Sequence, residues 1–283
     1  MIDFITEPLQ YGFLKRALIS CACLALGSAP VGALLVLRRM SLMGDALSHA
    51  VLPGAAIGYI IAGISLPALG IGGFIAGLIV ALLSGAVSRY TDLKEDASFA
   101  GFFLIALALG VLLISLRHSS VDLIHILFGS ALAVDSPSLM LMGGISTLTL
   151  VVLAIIIRPL TIECFDPQFF KSSGGNGILY HGLFLTLVVL NLVSGFQALG
   201  TLLSLGIMML PAITARFWAQ RVWGIFLISI LIAFLSGFLG LLFSYHQDWP
   251  SGPSIVLVSG LFYIVSLIIG PQGSIQHRLV SKK

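Results

Sequence analysis

Long apolar runs recur along nearly the whole of this sequence. They fall at approximately 14–37, 42–64, 66–88, 98–116, 138–157, 179–197, 198–215, 222–246 and 254–270. Most are close to the ~20 residues that an α-helix needs to cross the hydrocarbon core of a bilayer. None shows the alternation of an outer-membrane strand, and a backbone in lipid must satisfy its polar groups within the segment, so these runs are helices. Charge content agrees: 9% of the 283 residues are Asp, Glu, Lys or Arg, against about 25% in a soluble domain. The sequence therefore predicts an all-α integral membrane protein, a polytopic bundle of about nine (eight to ten) transmembrane helices. No linker or repeat divides it, and residues 1–283 are expected to form a single transmembrane domain.

Basic residues orient the bundle. With nine crossings and a cytoplasmic C-terminus, the inner loops hold Arg38, Arg39, Arg89, Lys94, Arg158, Lys171, Arg216, Arg221, Arg278, Lys282 and Lys283, and only Lys15, Arg16 and Arg117 lie outside. That is the bias the positive-inside rule requires, and it makes the net charge of +3 a report on topology rather than on nucleic acid. Residues 2–13 are expected as a short surface helix on the outer side, with no cleaved leader because Asp3 and Glu7 stand where a basic n-region would. The stretch 119–134 is too short and polar to cross and reads as a re-entrant or interfacial helix ending at Gly129. Cys21, Cys23 and Cys164 form neither a disulfide framework nor a zinc cage.

One apolar run carries an acid and an imidazole. In Arg38-Arg39-Met40-Ser41-Leu42-Met43-Gly44-Asp45-Ala46-Leu47-Ser48-His49-Ala50-Val51-Leu52-Pro53-Gly54, Asp45 and His49 are one helical turn apart on the same face. Ionisable groups in lipid cost roughly 3 kcal/mol each even on lenient scales and normally mark a pathway. A carboxylate oxygen and an imidazole nitrogen suit a divalent transition metal. Pro53 has no N–H to give the His49 carbonyl, and Pro53-Gly54 forms the kind of helix break that lines transporter sites. An internal Asp–His pair that braces the bundle or relays protons satisfies the same residues. Gly54 with Gly58, and Gly73 with Gly77, are spaced for close helix contact.

The longest polar interruption is 158–178. Asp166 can cap a short helix opening at Pro167, and Gly174 can close it, exposing Phe169 and Phe170 on the cytoplasmic side. A docking knob for a partner and an amphipathic helix resting on lipid headgroups are both open readings. His118 and His125 near Asp122 read as outer loop residues, and His181 and His246 as interfacial anchors. There is no nucleotide-binding G-x-x-x-x-G-K-[ST], no H-E-x-x-H and no G-x-S-x-G, so an enzyme reading finds no support.

The stretch Arg38–Gly54 resembles the signature of the permease subunits of bacterial zinc/manganese/iron ABC importers, the ABC-3 family. Leu93-Lys94-Glu95-Asp96, Leu127-Phe128-Gly129, Phe165-Asp166-Pro167-Gln168-Phe169 with Gly174, Met208-Met209-Leu210-Pro211-Ala212-Ile213-Thr214-Ala215-Arg216 and Pro250-Ser251-Gly252-Pro253 are similar to further family segments. The resemblance spans nearly the whole chain; Phe170-Lys171-Ser172-Ser173 departs from it. It implies a fold like type II ABC importers, a homodimeric pore, two copies of a cytoplasmic ATP-binding subunit, and an extracytoplasmic metal-binding protein. It also implies residence in the bacterial inner (cytoplasmic) membrane, no permanently bound cofactor, and Zn2+ or Mn2+, with Fe2+ a further candidate, as cargo. Asp45 and His49 become metal-pathway ligands, Pro53, Gly54 and Pro211 bending points, and residues 164–178 a coupling segment acting through Asp166, Pro167, Phe169, Phe170 and Gly174. An ion-coupled secondary transporter without an ATPase is the alternative.

Overall fold

The computed structural model describes residues 10–63, 65–116 and 134–272. Within them the chain forms eleven helices: α1 Gly12–Leu37, α2 Met43–Ala50, α3 Leu52–Ala62, α4 Leu66–Tyr90, α5 Glu95–Leu116, α6 Ser136–Phe165, α7 Pro167–Ser172, α8 Gly177–Leu199, α9 Thr201–Ala215, α10 Val222–Gln247 and α11 Ser251–Ile269. The expected re-entrant stretch up to residue 133, with Arg117, His118, Asp122, His125 and Gly129, lies outside the described residues. So do most of the expected N-terminal surface helix and the basic tail from residue 273.

Among the described residues, eight helices are long and apolar enough to cross a membrane, α2 and α3 counting together as one. The remaining apolar run, 198–215, is α9. Its 15 residues reach about 22 Å at 1.5 Å per residue, short of the ~30 Å hydrocarbon core. It follows α8 through a single residue, Gly200, at φ 92°. That positive φ is open to glycine and strained for other residues, which is how two helices separate so abruptly.

α1 is the central strut. Small residues crowd its middle (Ala25, Gly27, Ser28, Ala29, Pro30, Gly32, Ala33), and all of them are buried. A Cβ on Gly32 would stand 2.0 Å from the Met208 carbonyl oxygen, so α1 and α9 touch backbone to backbone. α1 contributes to both hydrophobic clusters of the bundle. Its end, from Val31 to Val36, joins Phe184, Val188 and Met208, whereas Leu14 to Ala29 join Leu203, Leu241 and Ile255. The predicted small-residue contacts form too. A Cβ on Gly54 or Gly58 would meet the carbonyl oxygens of Gly72 or Ala68 on α4, at 2.0 and 2.3 Å.

Basic residues sort to one end. Arg38 ends α1, Arg89 lies in the last turn of α4, Lys94 precedes α5, Lys171 is on α7, and Arg216 and Arg221 flank the loop into α10. That loop is tied to the end of α11 by the Gln272 amide donating to the Phe217 carbonyl and by Trp218 Nε1 donating to Ser266 Oγ. Lys15 and Arg16 sit in the first turns of α1, at the other end. By the positive-inside rule, this first end is the one expected to face the cytoplasm.

Candidate metal pathway and its cytoplasmic frame

α1 ends in a turn that aims the next helix. The Arg39 amide donates to the Val36 carbonyl and the Met40 amide to Leu35, the double closure that ends a helix with a left-handed residue. Here that residue is Arg39, at φ 61°, not glycine. A non-glycine side chain in this region costs on the order of 1 kcal/mol or more, so the surrounding structure holds the turn in place.

α2 then runs eight residues and presents two faces. Met43, Gly44, Leu47, Ser48 and Ala50 are buried, whereas Asp45 and His49 are exposed together on the opposite side. The His49 ring lies 6.0 Å from the ring of Phe103 on α5. On the buried side, Gly44 faces Leu205 and Met209 of α9. The helix stops at Val51, and α3 begins with Leu52 and Pro53 in its first turn, so the break falls where Pro53 removes a donor. Among the described residues no group of three His, Cys, Asp or Glu side chains is close enough to cage a metal. Asp45 and His49 therefore present two donor side chains from one chain, not a closed site.

Pro211 is buried inside α9, five residues before its C-cap Arg216. Asp166 caps α7 by accepting from the Phe169 amide at 2.9 Å, with Pro167 in the first turn. Gly174, at φ 82°, closes it: its amide donates to Lys171, and that of Gly175 to Phe170. The two phenylalanines divide. Phe169 is 59% exposed, but Phe170 is 7% exposed and meets Tyr180 edge-on at 5.7 Å. The expectation that both face outward is corrected, because Phe170 fills the gap between α7 and the first turn of α8.

Two further expectations are corrected at this end. The polar interruption at 158–178 is shorter than the sequence implies: α6 continues unbroken through Pro159 to Phe165 and buries Glu163. His181 is not an interfacial anchor but 6% exposed in the interior. Both follow from one network. Glu163 Oε2 accepts from Arg38 Nη2, and its Oε1 accepts from Arg89 Nη2 at 3.1 Å. Arg38 Nη1 lies 2.6 Å from His181 Nδ1, and His181 Nε2 lies 2.7 Å from Glu95 Oε1. Arginine only donates, so Nδ1 accepts and Nε2 carries the proton given to Glu95. The Arg38 guanidinium also sits 4.9 Å from the centre of the Phe184 ring. Nothing local in the sequence pairs Arg38 with these partners; the signal it offers is Glu163, an acid just beyond an apolar run.

The model of the ABC 3 transport family matches residues 10–270. The chain belongs to that family. Within the ABC 3 family, the manganese import system permease protein ScaB of Streptococcus parasanguinis is 37% identical over 280 residues, covering 99% of each chain. The manganese transport system membrane protein MntC of Listeria innocua is 35% identical over 284 residues, covering 99% of this chain and 98% of its own. A solved structure, PsaBC from Streptococcus pneumoniae in complex with Fab, matches with a TM-score of 0.84 at 34% identity and covers 100% of both chains. Over its described residues, the fold of this ABC 3 chain is thus a permease fold.

Proposed function

We propose that this protein is the membrane-spanning subunit of an ATP-driven importer for a divalent transition metal, with manganese as its cargo. The observation that carries the reading is the shared exposure of Asp45 and His49 on one face of α2, beside a helix break. A carboxylate and an imidazole facing lipid would each cost several kcal/mol. A second copy packed against this face removes that cost and brings four donors, two oxygen and two nitrogen, to one axis. Such a set binds manganese without enclosing it, as a transit site requires. The manganese assignment is supported by the names of the relatives, since the donor types alone hold zinc more tightly than manganese.

In this reading the protein does no chemistry of its own. A cytoplasmic ATP-hydrolysing subunit, in two copies, docks on α7, where the capped helix presents Phe169. An extracytoplasmic protein delivers the metal at the other end. Pro53, Gly54 and Pro211 allow the inner helices to bend as access alternates, and the complex resides in the bacterial cytoplasmic membrane. Uptake of manganese into proteoliposomes containing the whole complex tests the site. Asp45→Ala and His49→Ala are each expected to lower ATP-dependent uptake at least tenfold while the complex still co-purifies. Normal uptake by the double variant would sink the proposal.

A further inference from the structure

We propose that Arg38, Glu163 and His181 are positioning residues that carry movement of α7 to the metal-bearing helix α2; this rests on the transporter reading above. Glu163 stands three residues before Asp166, the cap of α7, and His181 stands in the helix that follows α7. Both sides of α7 are therefore held by the same cation. Arg38 reaches Glu163 with one guanidinium nitrogen and His181 with the other. Arg38 is also the last residue before the left-handed Arg39, which lies four residues from the start of α2. A shift of α7 thus has a short polar route to the turn that aims Asp45 and His49.

Three features separate this from a plain brace. First, the groups are dry: side-chain exposure is 8% for Arg38, 9% for Glu163 and 7% for His181. A buried ion pair is an inefficient way to stabilise a fold, since apolar residues of equal volume often do as well. Its advantage is directional, because two-armed arginine contacts break when either partner moves. Second, the network spans elements instead of stapling one pair: it joins the ends of α1, α4, α5, α6 and α8. Arg89 also donates to the Gly177 carbonyl at 3.0 Å, so the first residue of α8 is tethered as well. Third, α7 is not packed solidly against the network. A cleft of about 560 Å³ opens between it and the network, lined by Arg89, Glu163, Phe170, Lys171, Asn176 and Ile178. Arg38 Nε is buried and has no hydrogen-bond partner among the described residues.

The test separates positioning from stability in the full complex reconstituted with its ATP-hydrolysing partner. Glu163→Gln keeps the size of the side chain and removes its charge. Arg38→Lys keeps the charge and removes the second arm. Manganese retention by the purified complex, ATP hydrolysis and manganese uptake are read on the same preparations. Both variants are expected to keep manganese retention within about twofold of wild type, and to move at least tenfold fewer manganese ions per ATP hydrolysed. A merely structural role predicts hydrolysis and uptake falling in proportion, and that outcome overturns the proposal, as does an unchanged ratio. If Glu163→Gln yields no folded complex, the ratio for Arg38→Lys decides. A wild-type complex that hydrolyses ATP without moving manganese overturns the transporter reading, and this proposal with it; failure confined to the variants' ratio leaves that reading intact.

Discussion

Replacing Gly54 with alanine probes how the helix after the candidate site is held. Gly54 lies on α3 where it crosses α4, and an added Cβ would stand 2.0 Å from the Gly72 carbonyl oxygen and 2.7 Å from the Ala76 Cβ. Ordinary contact begins near 3.4 Å, so the two backbones must part by about 1.4 Å. No rotamer change relieves this, because the obstacle is a helix backbone. The contact is mutual, since a Cβ on Gly72 would meet the Gly54 carbonyl at 2.2 Å. Nor is there space on the far side: Gly110 of α5 has its Cβ position 3.0 Å from the Pro53 nitrogen and 3.1 Å from the Leu52 Cβ. The start of α3 is clamped between two helices.

Membrane helices hold together chiefly by close packing, and a gap of 0.5–1 Å already forfeits roughly a quarter to a half of each dispersion contact. Overpacking of this kind costs about 1–3 kcal/mol, and an immovable carbonyl puts Gly54→Ala at the upper end, about 3 kcal/mol. At about 2–4 °C per kcal/mol, the melting midpoint of the purified protein should fall by about 6–12 °C. Gly101→Ala and Gly144→Ala are the internal controls, since their Cβ positions meet nothing within 4 Å; they should melt within about 2 °C of wild type. Because α3 cannot shift without pushing on α5 beside the break at Val51, manganese uptake by Gly54→Ala should fall as well. A Gly54→Ala protein that melts with its controls would refute the backbone-contact argument.

Two capping residues give further tests. Asp166→Ala removes the acceptor for the Phe169 amide and should cost α7 about 1 kcal/mol of local stability; uptake should drop severalfold while the melting midpoint of the bundle stays put, and a coupled fall in both would place α7 in the core of the fold instead. At the outer end Asp135 caps α6, and hydrogen bonds from the Ser138 hydroxyl and amide hold its carboxyl below the usual carboxylate range. A depressed native pKa means the cap is fully formed above the ordinary value, about 3.9, and is lost as pH falls through the native one. The protection of the Ser138 amide against hydrogen exchange, relative to an unstructured amide at the same pH, should therefore fall on acidification below about pH 4, and Asp135→Asn, which caps without titrating, should abolish that acid step.

What the sequence made legible is what lipid and local chemistry dictate. A bilayer imposes a helix length, so the apolar runs marked the spans to within a few residues at most of their ends. Asp166, Pro167 and Gly174 act on amides within their own turn, which is why the limits of α7 could be read from cap residues alone. Pro53 likewise announced the break at Val51. Long-range pairing was not legible. Glu163 looks like the start of a polar loop because its partners, Arg38 and Arg89, lie 125 and 74 residues away. Once paired, it lets α6 run to Phe165, about two turns beyond the expected end at 157. His181 fails in the same way, with Arg38 143 residues distant. Phe170 fails for a simpler reason, since neighbouring residues on a six-residue helix differ in face and nothing local says which one is covered.

Pairing at a distance also accounts for the two kinds of polar residue in one short stretch. Arg38 points inward and is paired with this chain's own acid and histidine; Asp45 and His49, one turn apart on the next helix, point outward and are not enclosed by any metal-caging group among the described residues. The strained residue between them, Arg39, is what turns the chain from one situation to the other. A continuous helix from α1 into α2 would fix the angle between the inward and outward sets. In the proposed relay the angle set by this left-handed turn depends on what holds Arg38, and Arg38 is held by the two helices that flank α7. In the proposed transporter, this separation of sealed charge from open side chains is what lets a cytoplasmic event alter the candidate metal site without any group of that site leaving its own helix.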